Sequence, residues 1–123
     1  MDVLRAVMQE TIMAFVQNNT AAVKNKDVYL LSSVLSDNCA KITNAEYEAQ
    51  MKMELQTMSD VVQNVTRTVV DAHQRVANVW IEKTVHTGDG STSSVVYDLE
   101  FTQDGKQISQ YIEFVDTFES VKV

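Results

Sequence analysis

Residues capable of proton chemistry stand on two stretches of alternating polarity in the last third of the sequence. In Val95-Val96-Tyr97-Asp98-Leu99-Glu100-Phe101, the residues Val95, Tyr97, Leu99 and Phe101 fall on one face of a strand, and Asp98 and Glu100 on the other. Further on, Tyr111, Glu113 and Val115 share one face, opposed by an apolar set of Ile108, Ile112 and Phe114. A glutamate in an apolar hollow is a general acid or base, because desolvation disfavours its charged form and lifts its pKa. A tyrosine can donate a hydrogen bond to a developing oxyanion. The competing readings are a solvated strand-surface glutamate and a core tyrosine with one satisfied hydroxyl.

Other chemistries find less support. The two histidines and the single cysteine lie far apart, without metal-ligand spacing. No glycine-rich phosphate loop is present. Cys39 sits beside apolar neighbours and reads as a small core residue. His73 falls in an expected turn. His86 shares a face with Trp80, Glu82 and Asn78, which is a pocket wall or an exposed face depending on strand register.

The elements that must position these residues follow from periodicity. Val3, Leu4, Val7, Met8, Ile12, Phe15 and Val16 recur at helical spacing over Asp2 to Gln17, with a break expected at Asn18-Asn19-Thr20. A second helix is expected within Thr20 to Leu35, then a turn at Ser36-Asp37-Asn38 and a short strand from Cys39 to Thr43. Asn44 is a good N-cap, and Tyr47, Met51, Leu55 and Met58 then give a third helix. After Ser59 the composition shifts to Val, Thr, Ile and Phe. Strands are expected at about Val61 to Val70, Arg75 to Thr87, Ser94 to Thr102 and Gln107 to Phe118, joined by short turns and therefore antiparallel. Long twisted strands curl, and a curled sheet leaves a concave face for helices to close. The two apolar-leaning faces of the last strand suggest that one meets a pocket and the other a partner subunit.

With 123 residues the chain fits a single domain, 1–123. Its net charge of −7 and scattered cations argue against nucleic acid. No apolar run approaches a membrane span, the N-terminus lacks a signal-peptide pattern, and one cysteine suits a reducing compartment. The expectation is a cytoplasmic protein.

Several segments carry a resemblance: Leu35 to Lys41, Ala45 to Ala49, Val69 to Trp80, and Leu99 to Lys106 through Glu113-Phe114-Val115-Asp116. With the order of elements, they resemble the NTF2-like superfamily, and within it the SnoaL-like proteins of fungal secondary-metabolite biosynthesis. The resemblance implies an α+β fold, an NTF2-like (cystatin-like) cone of three N-terminal helices packed on a curved antiparallel sheet. It also implies a homodimer with an apolar pocket in each subunit and chemistry without metal or organic cofactor.

Carried onto this sequence, the resemblance implies that Glu113 points into the hollow as catalytic acid or base. Tyr97 stands where ketosteroid isomerases carry a protonated carboxyl donor, and Lys41 where fungal relatives often carry arginine; both become donors to a substrate oxygen. Thr43 stands at the position of the isomerase base and cannot replace it, so steroid isomerisation by that base is disfavoured. Phe15, Tyr47, Trp80, His86, Leu99, Tyr111 and Val115 would line the substrate site. The expected function is a cofactor-independent isomerase or cyclase acting on an apolar polycyclic or polyketide-like intermediate. The alternative is a non-catalytic small-molecule-binding or dimerisation module of the same fold.

Overall fold

A computed structural model describes residues 2–27, 29–30, 33–36, 39, 49, 52–53, 55–56, 60–86 and 91–116, with the backbone alone at Val85, His86, Ser91, Val115 and Asp116. One long helix, α1 (Asp2–Asn25), packs on a four-stranded antiparallel sheet of β1 (Asp60–Asp71), β2 (Val76–His86), β3 (Ser91–Phe101) and β4 (Ile108–Asp116). The strands lie side by side in chain order, β1-β2-β3-β4.

α1 forms because its apolar residues make one stripe, with Asp2 in its first turn and Lys24 in its last, each sign complementing the helix dipole. The stripe of Met8, Ile12, Phe15 and Val16 is buried against Ala77, Val79, Ile81, Val95, Tyr97, Leu99 and Phe101. Each large side chain so buried contributes about 1.5–3 kcal/mol.

The expected break at Asn18-Asn19-Thr20 does not occur: α1 runs on to Asn25 and takes in the start of the expected second helix. Tertiary contacts override the weak helix propensity of the Asn-Asn-Thr run. The Gln63 side-chain amide donates from β1 to the Thr20 hydroxyl (3.0 Å) and the Val16 carbonyl (3.2 Å), and Asn18 donates to the Ser33 hydroxyl. The helix stops where Lys26 turns left-handed (φ 55°) and the Asp27 amide reaches back to the Ala22 carbonyl at 3.0 Å.

Of the rest of the expected second helix, Tyr29 and Leu30 lie in a short 3-10 helical turn and Ser33 and Val34 in an ordinary turn. Leu35 then bridges Ile108 in parallel, with the Ser36 amide on the Ile108 carbonyl (2.9 Å) and the Ile108 amide on the Val34 carbonyl (2.8 Å). Cys39, expected to open a strand, sits in a turn, its amide bonded to the Ser36 carbonyl at 3.0 Å; residues 40–43 lie outside the described residues. Of the third expected helix, Ala49, Lys52, Met53, Leu55 and Gln56 are helical and Leu55 is buried, while Asn44 and Tyr47 lie outside the described residues.

All four expected strands are present, with ends displaced by at most three residues. Two irregularities set their phase. In β1 the register shifts between Val65 and Arg67, and in the β3–β4 pair it shifts between Glu100 and Phe101. The second shift leaves Ser109 as the extra residue, because Phe101 pairs with Ile108 and Glu100 with Gln110. Ile108 therefore shares the inner face with Tyr111, and only Ile112 and Phe114 of the expected apolar set face outward. Strict alternation, assumed in the sequence, fails at this bulge.

The turn between β3 and β4 locks the helix to the sheet. Gly105 has φ +75°, and a Cβ added there would meet Leu4 Cδ1 at 2.9 Å and Met8 Cγ at 3.0 Å. Its carbonyl accepts a buried hydrogen bond of 2.7 Å from the Thr11 hydroxyl. Gly105→Ala is expected to destabilise the fold by about 1–3 kcal/mol, because the new side chain meets both a left-handed backbone and the underside of α1. A lowered urea midpoint with an unchanged m-value checks this; an unchanged midpoint refutes it.

Candidate functional site

Strand pairing brings the candidate residues together. Tyr97 is the register partner of Glu113, Leu99 of Tyr111, and Val95 of Val115. Directly opposed residues project to the same face, and here it is the face that α1 covers, since Tyr97, Leu99 and Val95 belong to the core beneath the helix. The hydroxyl of Tyr97 donates to Glu113 Oε2 across the two strands. Phe15 reaches down from α1 onto the same spot. Its ring stands edge-on to Tyr97 (centroids 5.1 Å apart, planes at 86°) and to Tyr111 (5.6 Å, 61°), and the two tyrosine rings lie 6.2 Å apart. Edge-to-face contacts of this kind fix ring orientation and add about 0.5–1.5 kcal/mol each.

The two members of the pair have opposite environments. Tyr97 is 3% exposed, whereas Glu113 is exposed. The acid was expected to be desolvated inside an apolar hollow; the structure gives it an open position instead, held by the tyrosine. Burial first, then the Glu113 charge and the hydrogen bond to it, and last Tyr111, push the Tyr97 hydroxyl well above its ordinary value of 10.0. Tyr97 is therefore held in its neutral form, with its proton available to donate. Its proton is committed to Glu113, so in this geometry it orients the carboxylate; donating to a substrate oxygen requires release of that bond.

The remaining candidates divide. Phe15, Leu99 and Tyr111 lie with the pair, and the Val115 backbone sits in the same register as Val95. Lys41 and Tyr47 lie outside the described residues. Trp80 was placed among the pocket residues but projects to the opposite face: it pairs with Val96 and Arg67, and the Arg67 guanidinium lies 4.9 Å from its ring centre. β2 pairs with β3 without irregularity from Val76 to Val85. By alternation His86 falls in the same phase as Trp80, so the backbone gives no support to an inward position for it.

In the sequence Tyr97 and Glu113 stand on separate strands with nothing local to pair them; the register does so. The signal was available in the Gln103-Asp104-Gly105-Lys106 turn, which makes the two strands neighbours. It could not be used without knowing that Ser109 is an extra residue. Among the described residues no three His, Cys, Asp or Glu side chains gather as metal ligands, and no helix is long and apolar enough to cross a membrane.

No family model matches the sequence, and a comparison with curated proteins likewise finds no match. Solved structures do match. The BvnE pinacolase of Penicillium brevicompactum superposes with a TM-score of 0.80 at 15% identity, covering 98% of this chain and 90% of its own. An LEH-like epoxide hydrolase of M. tuberculosis superposes with a TM-score of 0.64 at 13% identity, covering 94% and 87%. A SnoaL-like polyketide cyclase of Shewanella denitrificans superposes with a TM-score of 0.64 at 10% identity, covering 92% and 93%. At such identities the likeness is one of fold.

The raised ionisation of Tyr97 has a signed consequence. Above pH about 10 the hydroxyl ionises in the unfolded chain and stays protonated in the folded one. The folded state then binds the extra proton, and stability falls as pH rises from that point. Tyr97→Phe is expected to flatten this alkaline loss. Urea midpoints measured at pH 8 to 11 for both proteins check it; parallel curves refute it.

Proposed function

The chain has the NTF2-like, cystatin-like fold, and from that premise we propose that it is a cofactor-independent isomerase or cyclase acting by acid–base catalysis on a small apolar organic molecule, of polycyclic or polyketide type. One observation carries the reading: the hydrogen-bonded pair of Tyr97 and Glu113 beside Tyr111 and beneath Phe15. A carboxylate that is accessible, and whose orientation a neutral donor fixes, suits proton transfer to and from a bound molecule. Glu113 takes a proton from carbon or oxygen of the substrate, and the resulting acid returns it to another atom. The cycle leaves the enzyme unchanged and the substrate rearranged, so it calls for no redox partner. The edge-on packing of Phe15, Tyr97 and Tyr111 holds the buried donor in place, and the half-buried Tyr111 is the ring of the three left to contact a substrate.

The neighbours' names support the class of chemistry. A pinacolase, an epoxide hydrolase and a SnoaL-like protein are built on this fold, but fold by itself does not fix reaction, and the acid–base reading rests on the pair. Lys41 enters the proposal as a further donor to substrate oxygen, and Tyr47 and Val115 as lining. The reading includes a second copy of the chain, making a homodimer.

The test is proton transfer itself. Candidate polyketide-derived and polycyclic compounds are incubated with the protein in D2O, and deuterium uptake at carbon is followed by NMR. The wild type is expected to catalyse exchange or rearrangement of its substrate. Glu113→Gln should lower the rate by about 100-fold or more, the scale of general acid–base catalysis, and Tyr97→Phe by less. A substrate turned over equally well by Glu113→Gln sinks the catalytic assignment and favours the non-catalytic binding module.

A further inference from the structure

A lysine of β2 faces the helix side of the sheet. Lys83 pairs with Gln63 of β1 and with Ser93 of β3, and by alternation it shares its face with Ala77, Val79 and Ile81 of the core. Lys83, Gln63 and Ser93 are all half-buried. Lysine is seldom taken out of water unless it is paired, yet among the described residues the Lys83 ammonium has no hydrogen-bond or ion-pair partner. Its cross-strand partners are neutral, and Val61, Val65, Ile81 and Val95, the next inward residues along the three strands, are apolar. Among the described strand residues the inward carboxylate is Glu113, two strands over, with a backbone separation of about 16 Å.

Gln63 has the opposite deficiency. Its side-chain nitrogen donates to the Thr20 hydroxyl and the Val16 carbonyl of α1. A carbonyl only accepts, so the nitrogen is the end that meets Val16, and the orientation of the amide is fixed. The other end, Oε1, is sealed from solvent and has no donor. Leaving such an acceptor unpaired costs about 1–3 kcal/mol. Directly opposed residues have Cβ atoms about 4.5–5.5 Å apart, which puts the Gln63 oxygen within reach of the Lys83 stem. A lysine without an acceptor thus stands opposite an acceptor without a donor. Turning the ammonium inward satisfies Gln63 but brings a charge onto a face with no counter-charge. A bound anion removes that penalty.

We propose that Lys83 binds a carboxylate of the substrate, so that the molecule taken up on this face is an organic acid. The inward ammonium gives one hydrogen to the Gln63 oxygen and the others to the carboxylate, with the Ser93 hydroxyl as a further donor beside it. One cation matches the single charge of a carboxylate, whereas the second charge of a phosphate monoester finds no partner on this face. The backbone separation from Glu113 exceeds the Debye length of about 8 Å at physiological ionic strength, which limits repulsion between the two carboxylates. Anchoring one end of the substrate at Lys83 sets which of its atoms reaches Glu113. The inference rests on the proposed reading, which puts the substrate on the helix side of the sheet, and is independent of its proton-transfer step.

Calorimetric titration with a matched pair of probes tests it: naphthoate, an aromatic carboxylate, and naphthamide, its neutral counterpart. The wild type is expected to bind naphthoate about tenfold or more tightly than naphthamide, the scale of a hydrogen bond to a charged group, although the net charge of −7 opposes any anion. Lys83→Met keeps an apolar stem of similar length and should bring the two probes level. Lys83→Arg keeps the charge and should retain most of the preference. Urea midpoints establish that both variants are folded. The side-chain amide NMR signal of Gln63 should shift when naphthoate is added to the wild type and stay in place with Lys83→Met. Equal binding of the two probes by the wild type, binding of neither, or a preference that survives Lys83→Met overturns the site. The readout is binding and not turnover. A lysine-dependent preference in a protein whose Glu113→Gln variant turns substrate over unchanged upholds this site and removes the catalytic reading.

Discussion

The burial of one sheet face beneath α1 is the constraint from which the rest follows. A four-stranded meander has two faces that are geometrically alike, and nothing in strand pairing alone tells them apart. The helix makes them unlike. Met8, Ile12, Phe15 and Val16 remove one face from water, and the Thr11 hydroxyl fixes where the helix lies by bonding the Gly105 carbonyl at the far end of β3. That bond spans 94 positions of sequence. It ties the first helical turns to the hairpin that carries both Tyr97 and Glu113, so the helix that supplies Phe15 and the strands that supply the polar pair share one frame.

Within that frame, the proposed chemistry depends on a difference of environment between two adjacent side chains. Tyr97 is sealed under the helix, and its hydroxyl proton is held more tightly than in water. Glu113, one strand further toward the sheet edge, remains open. Were both sealed, a charged carboxylate would have to be desolvated at a cost of several kcal/mol. Were both open, water would compete for the hydrogen bond and the carboxylate would rotate freely. The edge position of β4 gives the pair one member of each kind. The rigid donor is in the core, and the carboxylate it orients is exposed at the sheet edge.

Much of this was legible in the sequence, and the parts that were not share a cause. Val95, Tyr97, Leu99 and Phe101 read as one buried face because strict alternation runs unbroken through β3, and all four are buried. The four strands were found because Val, Thr, Ile and Phe accumulate after Ser59. Errors arose where local signals yielded to contacts distant in sequence. Asn18-Asn19-Thr20 looks like a helix end and is held in the helix by Gln63 of β1. Ile108 looks like a companion of Ile112 and Phe114 until the bulge at Ser109 puts it on the other side. Trp80 and His86 were left without a phase because β2 lacks a self-evident buried pattern, and the pairing with β3 decides it. Propensity and periodicity are local, whereas bulges and helix extensions are decided by what packs against them.

The bulge also explains how one short strand serves two surfaces. Beyond Ser109, β4 alternates Tyr111 and Glu113 inward with Ile112 and Phe114 outward. A shift of pairing by one residue would send Glu113 into the outer apolar row and bring Phe114 under the helix. Each such exchange strands a carboxylate in apolar surroundings or leaves Tyr97 without its acceptor, so the slipped register is penalised on both faces at once. The sequence of β4, apolar-leaning on both sides and therefore ambiguous to read, is for that reason strongly specified once folded. The feature that obscured its phase is the one that holds Glu113 opposite Tyr97.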